Sequence, residues 1–507
     1  MPALWTHVED PITRATRGGQ GRYILMGDVM EQLAGLDAMF LYGETPSMHL
    51  HVCGLVVLDT STMPGGYNFE TIRQMLIHRM PKIPAARNLL THVPFGIGRP
   101  FWFDDPHLDI DRHLHRVALP PPGDDRTLAT LVGDIASWPL HRDRPLWEMW
   151  VIEGLGDDRI ALAVKMHHST IDGVSGANVM GQLFDLEPTA ALAPDDSVQH
   201  EPNHAPGAAT LFAHALTRRL AQPWELATLL PTTAIRVAST AWRLARGSSS
   251  GASAAAPFSA PRTSFNGSIS PRRSVAFVDI PLADVKLVKS ALGVTVNDVL
   301  TTVIGGALRR YLDDRGELPD HPLLAATPIS VHDQVSRQGS TKVSVMFSKL
   351  ATDTKDPIER LRVIAEANVQ AKEIHRLVGA DTLLRWAEHF PFHAIGMGAR
   401  LYSSLHLSEH HPVVHNLILS NVPGPPIPLY LAGARLAGLY PFGPIMDGAG
   451  LNITVLSQED RVGIGLISCP ELMPRIWDLA DAVPDALAEL VSAVRAAEAV
   501  GADPAVR

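Results

Sequence analysis

Two mixed α/β domains joined by a helical connector are what this chain predicts, and three observations carry that expectation. At 507 residues the chain is too long for one ordinary hydrophobic core. Strand-like and helix-like segments alternate both before residue 187 and after residue 270. Between them lies a stretch rich in Ala, Pro and Ser that lacks strand signals. The expected divisions are a flexible extension at 1–29, a first domain at 30–186, a linker at 187–270, a second domain at 271–498 and a disordered tail at 499–507.

Taken in order, residues 1 to about 27 are patternless and rich in Gly, Arg and Thr, with Met26 or Met30 as alternative starts. Residues 49–59, HLHVCGLVVLD, predict a strand, while 68–83 and 126–140 place apolar residues at helical spacing. LWEMWVIEGLGDDRIALAVKMHHS predicts two strands joined by a Gly-Asp-Asp turn. In the linker, two helical patterns are separated by Pro231 and followed by low-complexity GSSSGASAAAPFSAP. RSVAFVDIPL begins the second domain as a strand, and Gly293 stops the helix after it. VNDVLTTVIGGALRRYLDD predicts a second helix, started by the capping-type residues Thr295 and Asn297. LLAATPISV and KVSVMFSKL read as strands, DPIERLRVIAEANVQAKEI as a long helix, and LNITVLSQEDRVGIGLIS as a hairpin before a closing helix.

Composition narrows the function class. A net charge of −10 makes no electrostatic case for nucleic acid. Cys53 and Cys469 are too few for a disulfide framework and lack metal-ligand spacing. No apolar run of 18 residues and no secretory leader pattern stand out, so a cytoplasmic protein is expected, peripheral to the inner membrane or to lipid bodies at most.

The segment with chemistry in it is HHSTIDG, His167 to Gly173. It follows RIALAVKM, in which Ile160, Leu162, Val164 and Met166 share one face. Continuing the alternation puts His168 on that apolar face and His167 on the other, with Lys165. The two histidines cannot converge on one atom, so one is the chemical candidate and the other orients the turn. A neutral imidazole is suited to take a proton from an alcohol. A metal site is disfavoured, because His-His-x-x-x-Asp does not bring its ligands to one face and no third ligand is near. Asp172, just before Gly173, suits a turn cap or an ion pair that holds the loop.

His-His-x-x-x-Asp-Gly after a strand resembles the signature of the CoA-dependent acyltransferase superfamily. Further blocks are similar to the bacterial wax ester synthase/diacylglycerol acyltransferase family: GLDAMFLYGETPSMHLHV (35–52), RPLWEMWVIEGL (144–155), APRTSFNGSISPRR (260–273), VNDVLTTVIGGALRRYL (296–312), NLILSNVPGP (416–425) and GLNITVLS (450–457). They run in order over nearly the whole chain. The resemblance implies two chloramphenicol-acetyltransferase-like domains with a substrate tunnel at their interface. It implies His168 as proton acceptor, with His167 and Asp172 in support, and Gly173, Asn297, Asp298, Ser420 and Asn421 as substrate-binding residues. A helix cap explains Asn297 equally well, and Pro423 and Pro425 fit a stiff crossover as readily as a substrate contact.

The implied substrates are acyl-CoA with diacylglycerol or a long-chain alcohol, without metal or resident cofactor. Absence of a Gly-x-Ser-x-Gly elbow or a Cys in these blocks agrees with direct transfer. Ser340 and His332 depart from residues common in the family, which leaves a lipid-binding paralogue as one rival and a carrier-dependent acyltransferase as another. In the linker, Leu211, Leu216 and Leu220 beside Arg218 and Arg219, then Trp242 beside Arg236, Arg243 and Arg246, form apolar faces flanked by cations. They suit a lipid surface, although packing between the domains accounts for them slightly better.

Overall fold

The computed structural model describes residues 22–25, 28–170, 179–188, 203–220, 222, 224, 227, 233, 257–330, 343–378, 386, 388–389 and 391–501. Asp172, Gly173, His332, Ser340, Arg236, Trp242, Arg243 and Arg246 lie outside them, as does most of the linker.

Two six-stranded sheets dominate. In the first, the order is β13 (Tyr430–Leu431), β14 (Ala434–Phe442), β3 (His51–Asp59), β8 (Arg159–His167), β7 (Trp147–Glu153) and β6 (Leu114–Ala118). The expected hairpin is β7–β8, turned where Gly154, Asp157 and Asp158 take positive φ. Apolar side chains fill both faces. Leu58, Val151, Leu162 and Met166 pack against Ile72, Met75 and Leu76 of the Phe69–Arg79 helix. Leu55, Val57, Ala161 and Ala163 pack against Leu128, Val132 and Ile135 of the Asp125–Ser137 helix.

The second sheet runs β11 (Val343–Lys349), β10 (Leu324–Ser330), β12 (Leu417–Pro423), β15 (Leu451–Gln458), β16 (Arg461–Ser468) and β9 (Ser274–Pro281). Helices Leu282–Leu292, Val296–Asp313 and Ile476–Gly501 bury their apolar faces with it in one core. Gly293 ends the first of these in the left-handed region, at φ 67°. A small third sheet, in the order β1 (Arg22–Leu25), β2 (Asp28–Gln32), β5 (Phe101–Asp104), β4 (Asn88–Thr91), lies beside the first half.

The halves do not part where composition places the boundaries. Strands β13 and β14 come from within 271–498 yet belong to the first sheet, with Phe442 opposite Cys53 and Arg435 opposite Asp59. Two glycines of β16 allow that crossing. A Cβ on Gly463 would stand 2.2 Å from the Leu439 carbonyl oxygen, and one on Gly465 would stand 2.0 Å from that of Pro441. Tyr440 then donates to Asp279 of β9 at 2.6 Å. The expected extension differs too, since Arg22–Leu25 pairs with Asp28–Gln32 before residue 30. Of the linker, residues 257–270 pack into the second half, with Phe265 buried in its core and Asn266 donating to the Asn416 and Gly448 carbonyls. At the other end, helix continues to Gly501. Among the described residues, no single helix is long and apolar enough to cross a membrane.

Candidate active site

Strand β8 delivers the histidine pair. It ends at His167, whose N–H bonds to the Leu146 carbonyl, and a turn follows in which Thr170 bonds back to the His167 carbonyl. His51 lies opposite His167 on β3. Lys165 is fully buried, pairs with Glu148 at 3.0 Å and donates to the carbonyls of Ile135 and Trp138. Burial, aided by the Lys165 charge, pushes His51 well below the usual imidazole range, and its Nε2 lies 3.0 Å from the Ala136 carbonyl.

His167 is likewise buried, and its ring roles are fixed by its neighbours. The Ser169 backbone N–H donates to its Nδ1 at 3.1 Å, and the Ser169 hydroxyl lies 2.7 Å from the same atom. Nδ1 therefore accepts, and the proton of a neutral ring sits on Nε2, which faces Glu44 Oε1 at 3.3 Å. Burial would raise the Glu44 carboxyl, but the nearby His167 ring and the hydrogen bonds from Arg142 and the Leu50 N–H outweigh it and hold the group down at about 2.

His168 is the first residue beyond the strand and is half-buried. Its N–H donates to the Leu50 carbonyl at 2.9 Å. Its ring stacks on Phe40, with centroids 4.1 Å apart and planes 22° from parallel. Phe40 belongs to the Gly35–Gly43 helix, which Glu44 terminates. That helix has no side-chain cap of its own; Glu388 of the second half accepts the Gly35 N–H at 2.8 Å. Phe40, Glu44 and Arg142 are absent from the residues singled out in the sequence. A spacing of four puts Phe40 and Glu44 on one side of the helix end, but no sequence signal says which histidine each meets.

The second-half candidates separate. Asn421 Nδ2 donates to Asn297 Oδ1 at 3.2 Å, joining β12 to the start of the Val296–Asp313 helix. The cap is Thr295, in a capping box with Asp298, so neither Asn297 nor a ligand is needed to explain it. Asp298 is buried with both oxygens engaged: Oδ2 accepts from the Thr295 N–H and hydroxyl, and Oδ1 from Asn368. In this structure Asp298 serves the helix cap and the Asn368 contact. Ser420 and Asn421 point to opposite faces of β12. The Asn421 face carries Leu417 and Leu419 into the second core, and the Ser420 face carries Val422 against the first-half cluster.

Of the linker leucines, Leu211 packs inward with Met30 and Phe101. Leu216 and Leu220 are exposed, as are Trp224 nearby and Met397, Leu401 and Leu405 of the second half.

Comparison with known proteins places this geometry. A model described as the wax ester synthase/diacylglycerol acyltransferase catalytic domain matches residues 33–300, and one for the C-terminal domain of the same family matches 340–491. A Mycobacterium tuberculosis H37Rv protein, named provisionally as a diacylglycerol O-acyltransferase, is 42% identical over 466 residues, covering 91% of this chain and 90% of its own. A second from that strain, similarly named, is 34% identical over 444 residues, covering 87% and 91%. The structure of the wax ester synthase/diacylglycerol acyltransferase from Marinobacter aquaeolei VT8 matches with a TM-score of 0.65 at 29% identity, covering 92% of this chain and 99% of that one. The first condensation domain of the calcium-dependent antibiotic synthetase shares the fold, with a TM-score of 0.51 at 13% identity over 92% and 96% of the two chains.

Proposed function

The chain belongs to the wax ester synthase/diacylglycerol acyltransferase family and is an acyl-CoA-dependent acyltransferase, and on that premise we propose that His168 is the base that activates the acceptor hydroxyl. The observation that carries this reading is the division between the two histidines. His167 has Nδ1 committed to Ser169 and Nε2 turned to Glu44. His168, the first residue past the strand, is placed by its backbone N–H on the Leu50 carbonyl and by its ring face on Phe40, and it is the second histidine of the pair, whose counterpart in the family resemblance is the proton acceptor.

The imidazole of His168 takes the hydroxyl proton as the alcohol oxygen attacks the thioester carbonyl carbon. A C–O bond forms, the carbonyl electrons move to oxygen, and the tetrahedral intermediate collapses with loss of the C–S bond. The CoA thiolate leaves and receives the proton from the imidazolium. With 1,2-diacylglycerol the product is triacylglycerol, and with a fatty alcohol it is a wax ester. The names of the mycobacterial relatives favour diacylglycerol. Such acceptors reside in lipid, and the exposed Leu220, Trp224, Met397, Leu401 and Leu405 support working at the surface of a membrane or lipid body.

Acyl transfer from labelled palmitoyl-CoA, with dioleoylglycerol and hexadecanol offered separately, tests the reading. Wild type forms triacylglycerol, and His168→Ala is slower by roughly 10³-fold, as loss of a general base predicts. Turnover by His168→Ala within tenfold of wild type would sink the assignment. Wild-type turnover confined to carrier-bound thioesters would replace the CoA substrate.

A further inference from the structure

We propose that Glu44 is a positioning residue of this site, clamping His167 and the Leu50 peptide so that His168 is presented to the acceptor in one orientation. The inference rests on His168 being the base. Glu44 reaches both members of the pair from one carboxylate. Oε1 accepts the Leu50 N–H at 2.9 Å and faces His167 Nε2 at 3.3 Å. The carbonyl of that same Leu50 accepts the His168 N–H at 2.9 Å. The side chain of His167 and the backbone of His168 are therefore referred to a single anchor.

The anchor is itself held. Oε2 pairs with Arg142 Nη2 at 2.5 Å, and Arg142 Nη2 also donates to the Leu41 carbonyl, one turn back in the Gly35–Gly43 helix. The final turn of that helix supplies Phe40 to the His168 ring and Glu44 to the His167 ring, at the i, i+4 spacing that puts both on one side. Arg142 is partly exposed, so this ion pair adds little to global stability. What Glu44 does locally is larger, because His167 is buried and its Nε2–H has a carboxylate in front of it. The contacts of Glu44 are to His167, Leu50 and Arg142, so the role assigned to it is exerted through the histidines.

Kinetics with palmitoyl-CoA and dioleoylglycerol separate this role from a structural one, using full-length Glu44→Ala, Glu44→Asp and Glu44→Gln with thermal melts of each. Glu44→Ala is expected to lose about 10²-fold in kcat with KM for palmitoyl-CoA within about threefold of wild type. Glu44→Gln keeps an oxygen at the same reach and retains most of kcat; Glu44→Asp keeps the charge but withdraws the oxygen and loses about tenfold or more. Adding His167→Gln to Glu44→Ala costs less than the product of the two single losses, since both remove the Glu44–His167 contact and only the bonds to Ser169 are lost anew. A Glu44→Ala enzyme within about threefold of wild-type kcat, or fully multiplicative losses in the double variant, would overturn the proposal. If Glu44→Ala does not fold, the order of the other two decides, and Glu44→Asp equal to or faster than Glu44→Gln refutes the clamp. His168→Ala in the same assay keeps the two ideas apart. Activity in that variant defeats the base assignment, whereas an inactive His168→Ala beside an unimpaired Glu44→Ala defeats only the clamp.

Discussion

His167 and His168 are chemically identical side chains one residue apart, set in different surroundings. His167 sits where β8 still pairs with β3, beside Lys165, which pairs with Glu148 and donates to backbone carbonyls, and His51, whose Nε2 lies on the Ala136 carbonyl. His168 falls just past the pairing, against an aromatic face. Asp298 shows the same principle in the opposite direction. It lies in a motif that suggests substrate contact, yet Thr295 and Asn368 take both its oxygens. Asp298→Ala is therefore expected to lower stability by about 2 kcal/mol, through the lost capping box and a stranded Asn368 amide. KM for palmitoyl-CoA measured on the folded fraction stays at the wild-type value. A raised KM with unchanged stability in urea would restore the binding role. At this scale the histidine pair could be singled out in the sequence because imidazole chemistry belongs to the side chain itself. Glu44 and Phe40 could not, since a carboxylate and a ring 120 or more residues away acquire their partners only when the chain closes.

Among the elements, those with strong periodicity came through from the sequence: the β7–β8 and β15–β16 hairpins, and the Phe69–Arg79, Asp125–Ser137 and Val296–Asp313 helices. What periodicity does not encode is the sheet a strand joins. Residues 434–442, ARLAGLYPF, are separated from β3 by nearly four hundred positions, and their pairing depends on shape at the crossing with β16. Gly463 and Gly465 are the sequence trace of that crossing, readable only once Leu439 and Pro441 are seen above them. Gly465→Val should cost at least ~3 kcal/mol, because its Cβ would overlap a backbone carbonyl that cannot swing aside. Chemical denaturation measures this, and a variant as stable as wild type would mean that β14 does not lie so close to β16. The linker's end at 257–270 was missed for a related reason. Phe265 and Asn266 lie in a Pro- and Ser-rich context, and their burial against the second half is set by tertiary contact.

For the whole molecule, β13–β14 make the two halves interdependent. A first half expressed as residues 1–256 would lack β14 and expose the edge of β3 from Cys53 to Asp59, an apolar strand open to wrong pairing. It is expected to aggregate alone and to become soluble when co-expressed with 257–507, which purification of the two pieces through a tag on either one would reveal. A soluble, monomeric first half would contradict this interdependence. The same crossing fastens the sheet that carries His168 to the sheet that carries Asn421 and Ser420, so the acyl-transfer reading depends on a site held by the joined halves. Its most direct test is CoA release from palmitoyl-CoA, with and without dioleoylglycerol, for wild type and His168→Ala. Direct transfer assisted by His168 predicts release only when the acceptor is present, no acyl group on the protein by intact mass, and a rate lower by roughly 10³-fold in the variant. A burst of CoA without acceptor that leaves an acylated protein, or a His168→Ala enzyme as fast as wild type, would contradict it.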